Sequence, residues 1–195
     1  YLTYFLDLIA FVQKHSNHLL DAEDQLFLKQ FFSLSENAQC LFIRFINRKG
    51  EFFRQDKLSY EEINTSSAIS ELSDQSFVTP VLKGTEELLP LYTKAELLGH
   101  YEHLELKKTI KKEDLYMELI SGGDFQPLIS ICSVVKLEKQ EAVEYLKMLF
   151  FGHYHAQMTE FVIRDVGHVQ LEDLSQHDFK PWFQTLEEAK AVFDI

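Results

Sequence analysis

The stretch LFIRFINRKGEFFRQDKLSYEEI, residues 41–63, decides how this chain is organised, because an amphipathic helix runs there into a cation-rich segment. Between Arg44 and Lys57 it has five cations and two anions, a local charge of +3 in a chain of net charge −12. The five cations are Arg44, Arg48, Lys49, Arg54 and Lys57. A protein that repels phosphate on average but concentrates positive charge on one element is suited to contact a polyanion there.

The residues before this basic stretch predict three successive helices. In the first, within residues 1–20, the apolar positions recur at helical spacing and are Tyr1, Phe5, Leu8, Ile9 and Val12. Asp21 is placed to cap a second helix over residues 23–32, and Ser35 to cap a third. An apolar stripe runs along the third helix, so Arg44 and Arg48, four residues apart, are predicted to share the opposite face.

The residues after the helices predict shorter elements. Residues 51–55 are typical of an extended piece, and Ser59 with Glu62 has capping-box spacing for a short helix. A further helix over residues 67–74 and a second extended piece follow. The order indicates a mainly α fold with few short strands, in which residues 1–82 form a helical, winged-helix-like domain.

Residues 91–123 predict a pair of short helices. Thr93 is placed to cap the first, and Gly122-Gly123 to end the second. Four cations lie on the segment between the helices and at the start of the second, namely Lys107, Lys108, Lys111 and Lys112. These linker lysines form a second cationic site. A phosphate bound there would also gain from the free backbone N–H groups at the start of the second helix.

Residues 124–195 predict further helices. The run over residues 128–137 is compatible with a strand or with the end of a buried helix. An amphipathic helix is predicted over residues 139–152, and further helices are predicted near residues 157–165 and from about Leu186.

The composition limits the class of protein. A hydrophobic content of 46%, with 17 Phe, predicts a folded core. No segment has the ~20 apolar residues that span a membrane, and the first residues lack the basic leader of a signal peptide. Cys40 and Cys132 lie in apolar runs and are expected to be buried thiols, a disulfide being the alternative. The histidine spacings predict no metal site.

Three segments resemble the N-terminal half of the Fanconi-associated nuclease family, whose members join a SAP-type DNA-binding region, a helical-repeat region and a C-terminal VRR nuclease domain. The first is the basic stretch with AISELSDQSFV, residues 68–78. The second is LYTKAELLGHYEHLELKKTIKKEDLYMELI, residues 91–120, similar to a SAP helix pair in which LELKKTIKK replaces the usual glycine-containing turn. The third is LKMLFFGHYHAQMTEFVIRDVG, residues 146–167.

The resemblance implies a DNA-repair nuclease that acts at flaps, gaps or crosslinks. The family's nuclease centre combines a Glu, a Pro-Asp and a Glu-x-Lys, whose carboxylates bind Mg²⁺ or Mn²⁺. This chain has no Pro-Asp, and its Glu105-Leu106-Lys107 has no upstream partner motif. The resemblance therefore assigns no cofactor and no catalytic residue to these residues, and whether they are an enzyme by themselves stays open.

The partner implied by the resemblance is DNA, as flap, junction or duplex, together with an intramolecular contact to the nuclease domain. No membrane partner is expected. The candidate DNA contacts are Arg44, Arg48, Lys49, Arg54, Lys57, Tyr60, Lys107, Lys108, Lys111 and Lys112. The expected location is the cytoplasm, with the nucleoid, in a bacterium and the nucleus in a eukaryote.

Simpler interpretations remain beside this one. The cations could pair with neighbouring carboxylates on a solvated helix face, and Tyr60 could be a core aromatic residue. The chain could instead be a protein-interaction module whose acidic faces meet a basic partner, or an enzyme with an unrecognised site.

Overall fold

The computed structural model describes residues 1–130, 132–153 and 180–193. The chain packs as two compact units, one formed by Tyr1–Arg48 with Lys139–Ile195 and the other by Lys49–Glu138. The described residues are mainly helical with one small sheet, which confirms the predicted fold class. The predicted domains 1–82, 91–123 and 124–195 stay predictions, and the first of them contributes residues to both units.

The described elements have the following bounds. The helices are α1 Leu2–His15, α2 Ala22–Ser33, α3 Glu36–Ile46, α4 Thr65–Asp74, α5 Lys94–His100, α6 Lys112–Gly122, α7 Gln126–Ser130, α8 Gln140–Phe151 and α9 Leu186–Phe193. The strands are β1 Phe52–Arg54, β2 Val78–Pro80 and β3 Val134–Leu137. The helix predicted near residues 157–165 lies outside the described residues. No helix among the described residues is long and apolar enough to cross a membrane.

The first unit is built on α1, which packs against α8 and α3. Four of the five predicted apolar positions of α1 are buried, but Tyr1 is 64% exposed because it precedes the first turn. The predicted caps are confirmed. The Asp21 carboxylate accepts hydrogen bonds from the Glu23 and Asp24 N–H groups at 2.9 Å, and the Ser35 hydroxyl accepts one from Ala38 at 3.3 Å.

The second unit contains an antiparallel sheet in the order β1-β3-β2. The central strand comes last in the chain, and it pairs Val135 with Phe53 of β1 and Lys136 with Thr79 of β2. The run over residues 128–137 therefore holds both predicted alternatives, the end of α7 and then the strand β3. Cys40 and Cys132 lie in different units and are not joined by a disulfide, and both are half-buried where full burial was expected.

The helix predicted from Ser59 and Glu62 is wrong. Residues 60–63 form a turn, and no helix starts at Ser59. The further helix predicted over residues 67–74 is present as α4, which begins at Thr65. Asn64 is its N-cap, because the Asn64 side-chain oxygen accepts a hydrogen bond from the Ser67 N–H at 3.2 Å and so satisfies a free donor of the first turn.

Lys190 ties α9 to the start of α2 within the first unit. Its ammonium lies 2.9 Å from the carboxylates of both Asp21 and Asp24, and 3.9 Å from the centre of the Tyr145 ring. Burial raises the pKa of Asp24. For Asp21, burial acts in the same direction but is outweighed by hydrogen bonds from Lys190 and from the Asp24 N–H, and its pKa falls to about 2.

We expect Lys190→Met to lower the free energy of unfolding by about 2 kcal/mol at neutral pH, since it leaves the buried Asp24 carboxylate without its cation. Protonation of the carboxylates removes that penalty, so the loss should shrink at about pH 3. Urea unfolding of the wild type and of Lys190→Met at both pH values measures this difference in the free energy of unfolding. Lys29→Met, at an exposed position of α2, is the control and should cost less than about 0.5 kcal/mol. An equal loss at both pH values would contradict the role of the carboxylates.

Candidate nucleic-acid interface

The ten predicted DNA contacts are divided between the two units. Arg44 and Arg48 belong to the first unit and the other eight to the second. The shared helix face predicted for Arg44 and Arg48 is wrong, because α3 ends at Ile46 and Arg48 lies beyond it. Asn47 ends the helix, since its backbone N–H and its side-chain amide both donate to the Ile43 carbonyl, at 3.1 and 2.8 Å. Arg44 is half-buried and Arg48 is exposed.

Arg54 is an interior residue, 7% exposed. Its guanidinium donates to both oxygens of Asp56, at 3.0 and 2.7 Å, and lies 2.9 Å from the Glu96 carboxylate. It also donates to the Leu91 carbonyl at 3.3 Å and covers the Tyr92 ring at 4.3 Å from the centroid. A phosphate could reach Arg54 only by displacing these partners, so Arg54 is unsuited to contact DNA.

Glu96 joins this buried cation to the start of α5. Its carboxylate accepts hydrogen bonds from the Thr93 N–H at 2.8 Å and from the Thr93 hydroxyl at 2.9 Å, which completes the predicted cap. It also lies 3.3 Å from the Lys57 ammonium. The Thr93 N–H contributes most to lowering the pKa of Glu96 to about 2, and the hydrogen bonds from Arg54 and Lys57 act in the same direction.

The remaining members of the basic stretch lie nearer the surface. The Lys57 side chain is 60% exposed although it pairs with Glu96. Lys49 is exposed and precedes Gly50, whose φ of 90° favours glycine. Tyr60 is half-buried and its hydroxyl oxygen is shielded from solvent, as expected for a core aromatic residue.

The linker lysines, at residues 107, 108, 111 and 112, are all exposed. Within the described part of the chain none of their ammonium groups forms an ion pair. The neighbouring carboxylates Glu102, Glu105, Glu113 and Asp114 therefore do not pair with them. The Lys112 ammonium lies 5.3 Å from the centre of the Tyr116 ring, on the next turn of α6. The second cationic site is thus available to an external anion.

Lys94, the first residue of α5, was not among the predicted contacts. Its ammonium donates a hydrogen bond to the Lys108 carbonyl at 2.8 Å, across 14 residues of sequence. The sequence predicts the cap at Thr93, which places Lys94 at the first position of α5. No local sequence pattern, however, relates the start of a helix to the loop that follows that helix.

The chemistry of a metal site is missing from the described residues. No group of three or more His, Cys, Asp or Glu side chains among them could hold a metal ion. Glu105 of the Glu-x-Lys sequence has a φ of 50° and follows a 3₁₀ turn, Glu102–Leu104. We derive no metal-dependent step from these residues.

Known proteins show to which family the chain is similar. Residues 1–79 match the family model described as FAN1, HTH domain, so this part of the chain is of a helix-turn-helix class. Fanconi-associated nuclease 1 homologs of Arabidopsis thaliana and Pseudomonas aeruginosa are each 28% identical, over 82% and 89% of this chain. The mouse Fanconi-associated nuclease 1 is 33% identical over 64%. These matches identify the chain as an N-terminal region of the Fanconi-associated nuclease family.

The structural similarity covers nearly the whole chain. A crystal structure of paFAN1 bound to 2nt 5'flap DNA with gap matches 99% of it with a TM-score of 0.81 and 25% identity. The chain covers 37% of that structure, and 20%, 33% and 11% of the Arabidopsis, Pseudomonas and mouse relatives. A second paFAN1 complex, with 1nt 5'flap DNA, has the same fold, with a TM-score of 0.83 at 24% identity.

We expect Glu96→Gln to lower the free energy of unfolding by about 1 kcal/mol at neutral pH, because Arg54 and Lys57 lose a charged partner. The pKa of Glu96 is depressed on folding from 4.5 to about 2, so its contribution is complete above pH 4.5 and is lost as the pH falls through about 2. Urea unfolding across this range should show the two proteins converging in acid. Glu118→Gln, on the exposed face of α6, is the control, and a constant difference between wild type and Glu96→Gln would refute the assignment.

Proposed function

We propose that this chain is a DNA-binding region of a structure-specific repair nuclease and holds flap or junction duplex DNA for cleavage by a VRR nuclease domain located elsewhere in the protein. The single observation that carries the proposal is the set of linker lysines, exposed and without ion pairs in the described residues. The family membership and the flap DNA of the paFAN1 complexes support it.

The binding mechanism is electrostatic. Each lysine that neutralises a phosphate releases a condensed counterion, so the logarithm of affinity falls with the logarithm of salt by roughly 0.9 per contact. Because the whole chain has a net charge of −12, the acidic surface repels DNA. Binding is thereby confined to the cationic sites, which position the duplex and do not read its sequence.

The other contacts in this proposal come from the basic stretch. Lys49 and Lys57 are exposed residues of the second unit, and Arg44 and Arg48 supply a separate site on the first unit. The Tyr60 hydroxyl is buried, so Tyr60 is not one of the contacts in this proposal.

The division of labour follows the family's organisation. We assign cutting, and the Mg²⁺ or Mn²⁺ it needs, to residues other than the described ones. The VRR nuclease domain would also contact this region intramolecularly. The protein would act at the nucleoid in a bacterial cell or in the nucleus of a eukaryotic one.

Neutralising the four linker lysines together as glutamine should lower affinity for 5′-flap DNA at least about tenfold at low salt, and reduce the salt slope by about 3.6. Fluorescence anisotropy at several salt concentrations measures both. The matched control changes four other exposed lysines to glutamine: Lys14, Lys29, Lys83 and Lys180. It alters net charge equally and should retain most of the affinity and slope.

Three results would refute the proposal. An equal loss in the control quadruple would make the linker lysines interchangeable with any surface charge. No salt-sensitive binding by the wild type would favour the protein-interaction module. Mg²⁺-dependent cleavage by these residues alone would favour an independent enzyme.

Arg44→Glu combined with Arg48→Glu tests the first unit. We expect a loss of at least about tenfold in duplex or flap affinity, because two phosphate contacts become repulsive. Circular dichroism melting should show that the variant stays folded. Unchanged affinity at low salt would remove both residues from the interface.

A further inference from the structure

We propose that Lys94 is a positioning residue of the DNA interface, which holds the loop between α5 and α6 so that its lysines face outward. The inference rests on the proposed function above. It concerns a residue outside both cationic segments of the sequence, and its evidence is the hydrogen bond from the Lys94 ammonium to the Lys108 carbonyl.

The loop is built with alternating anchors and cations. Leu106 and Ile110 are partly buried and pack against the hydrophobic core of the second unit. Lys107 and Lys108 lie between them and are exposed. The Ile110 N–H donates to the Lys107 carbonyl at 3.0 Å, which closes a turn at the position of the two lysines.

Lys94 completes this turn from outside. Two apolar anchors fix the ends of the turn but leave the carbonyl at its centre without a partner from the turn itself. The Lys94 ammonium supplies that partner at 2.8 Å, and a charged donor makes a stronger bond than a neutral one. Without it, the Lys107–Ile110 segment would depend on one backbone hydrogen bond and two partly buried side chains.

The position of Lys94 is itself fixed by the buried cation cluster. Lys94 directly follows the Thr93 cap, and Glu96 on the same turn bonds both Thr93 and Arg54. A continuous series of contacts thus runs from β1 through Glu96 and the start of α5 to the Lys108 carbonyl. The lysine-bearing part of the loop, residues 107–111, is thereby oriented by the sheet.

The positive charge of Lys94 changes the local charge balance of the loop. Residues 102–114 hold four lysines and four carboxylates, so this segment is neutral by itself. Lys94 adds a fifth cation at the Lys108 carbonyl, and a phosphate over the loop would gain from that charge.

The test compares Lys94→Met, which keeps the length of the side chain but removes the donor, with Lys94→Arg, which keeps both donor and charge. A lysine that only contacts one phosphate contributes roughly 0.9 to the salt slope. Removing a positioning residue also weakens the phosphate contacts of the lysines that it holds in place. We therefore expect Lys94→Met to lower the salt slope by about 2 and the affinity for flap DNA about tenfold. Lys94→Arg should restore most of both.

Hydrogen exchange reads the loop directly and does not depend on DNA. In Lys94→Met the Ile110 amide should exchange faster while the amides of α6 keep their protection. Lys29→Met, at an exposed position of α2, should change neither the exchange nor the salt slope. If Lys94→Met unfolds the protein, Lys94→Gln takes its place, because its shorter neutral side chain also loses the contact, and its Ile110 amide should exchange faster than in Lys94→Arg and in the wild type.

The outcomes separate this inference from the proposed function. A slope change of about 0.9 or less in Lys94→Met, or unchanged exchange at Ile110, would overturn the positioning role while the quadruple linker variant still lost binding. Absence of salt-dependent binding in the wild type would instead overturn the proposed function.

Discussion

The paired guanidinium of Arg54 is the interaction on which the second unit depends. A cation taken out of water is stable only when charges and hydrogen bonds compensate it. Here the compensation comes from separate parts of the chain: Asp56 beside β1, the Leu91 carbonyl, and Glu96 on α5. Because these partners converge on one buried group, the strand, the residues before α5 and the first turn of α5 take fixed positions. The linker lysines lie on the loop that follows α5 and at the start of α6, so their position depends on this cluster.

The local chemistry could be predicted from the sequence, and the long-range chemistry could not. Asp21, Ser35 and Thr93 cap their helices as expected, since a cap is decided by neighbours within three residues. The sequence predicts Arg54 as a surface cation, because charge patterns do not reveal a carboxylate that folding brings from a distant helix. The contact between Lys94 and the Lys108 carbonyl is not predictable for the same reason. The short helix predicted from Ser59 does not form, although its capping-box spacing is present, whereas the next helix is present and is capped by Asn64.

The acidic character of the chain and its proposed ligand are compatible because of where the cations lie. Positive charge on a helix is easily compensated by carboxylates one turn away. On the loop before α6, apolar anchors and a turn set the backbone, so the lysines project without such partners. The family supplies the biological context, whereas the loop geometry explains how a protein of net charge −12 can offer a site for phosphate.

The order of strands in the small sheet has a consequence for how the protein is made. β1 and β2 do not pair with each other, and each pairs only with β3, which is synthesised last. The hydrogen-bonding edges of both early strands therefore stay open until residue 137 has left the ribosome, a period in which they are exposed to pairing with other chains. Likewise α1 lacks its packing partner until α8 has been synthesised. The 79 residues matched by the helix-turn-helix family model thus mark an evolutionary unit that, in this chain, completes its folding only with segments lying beyond it.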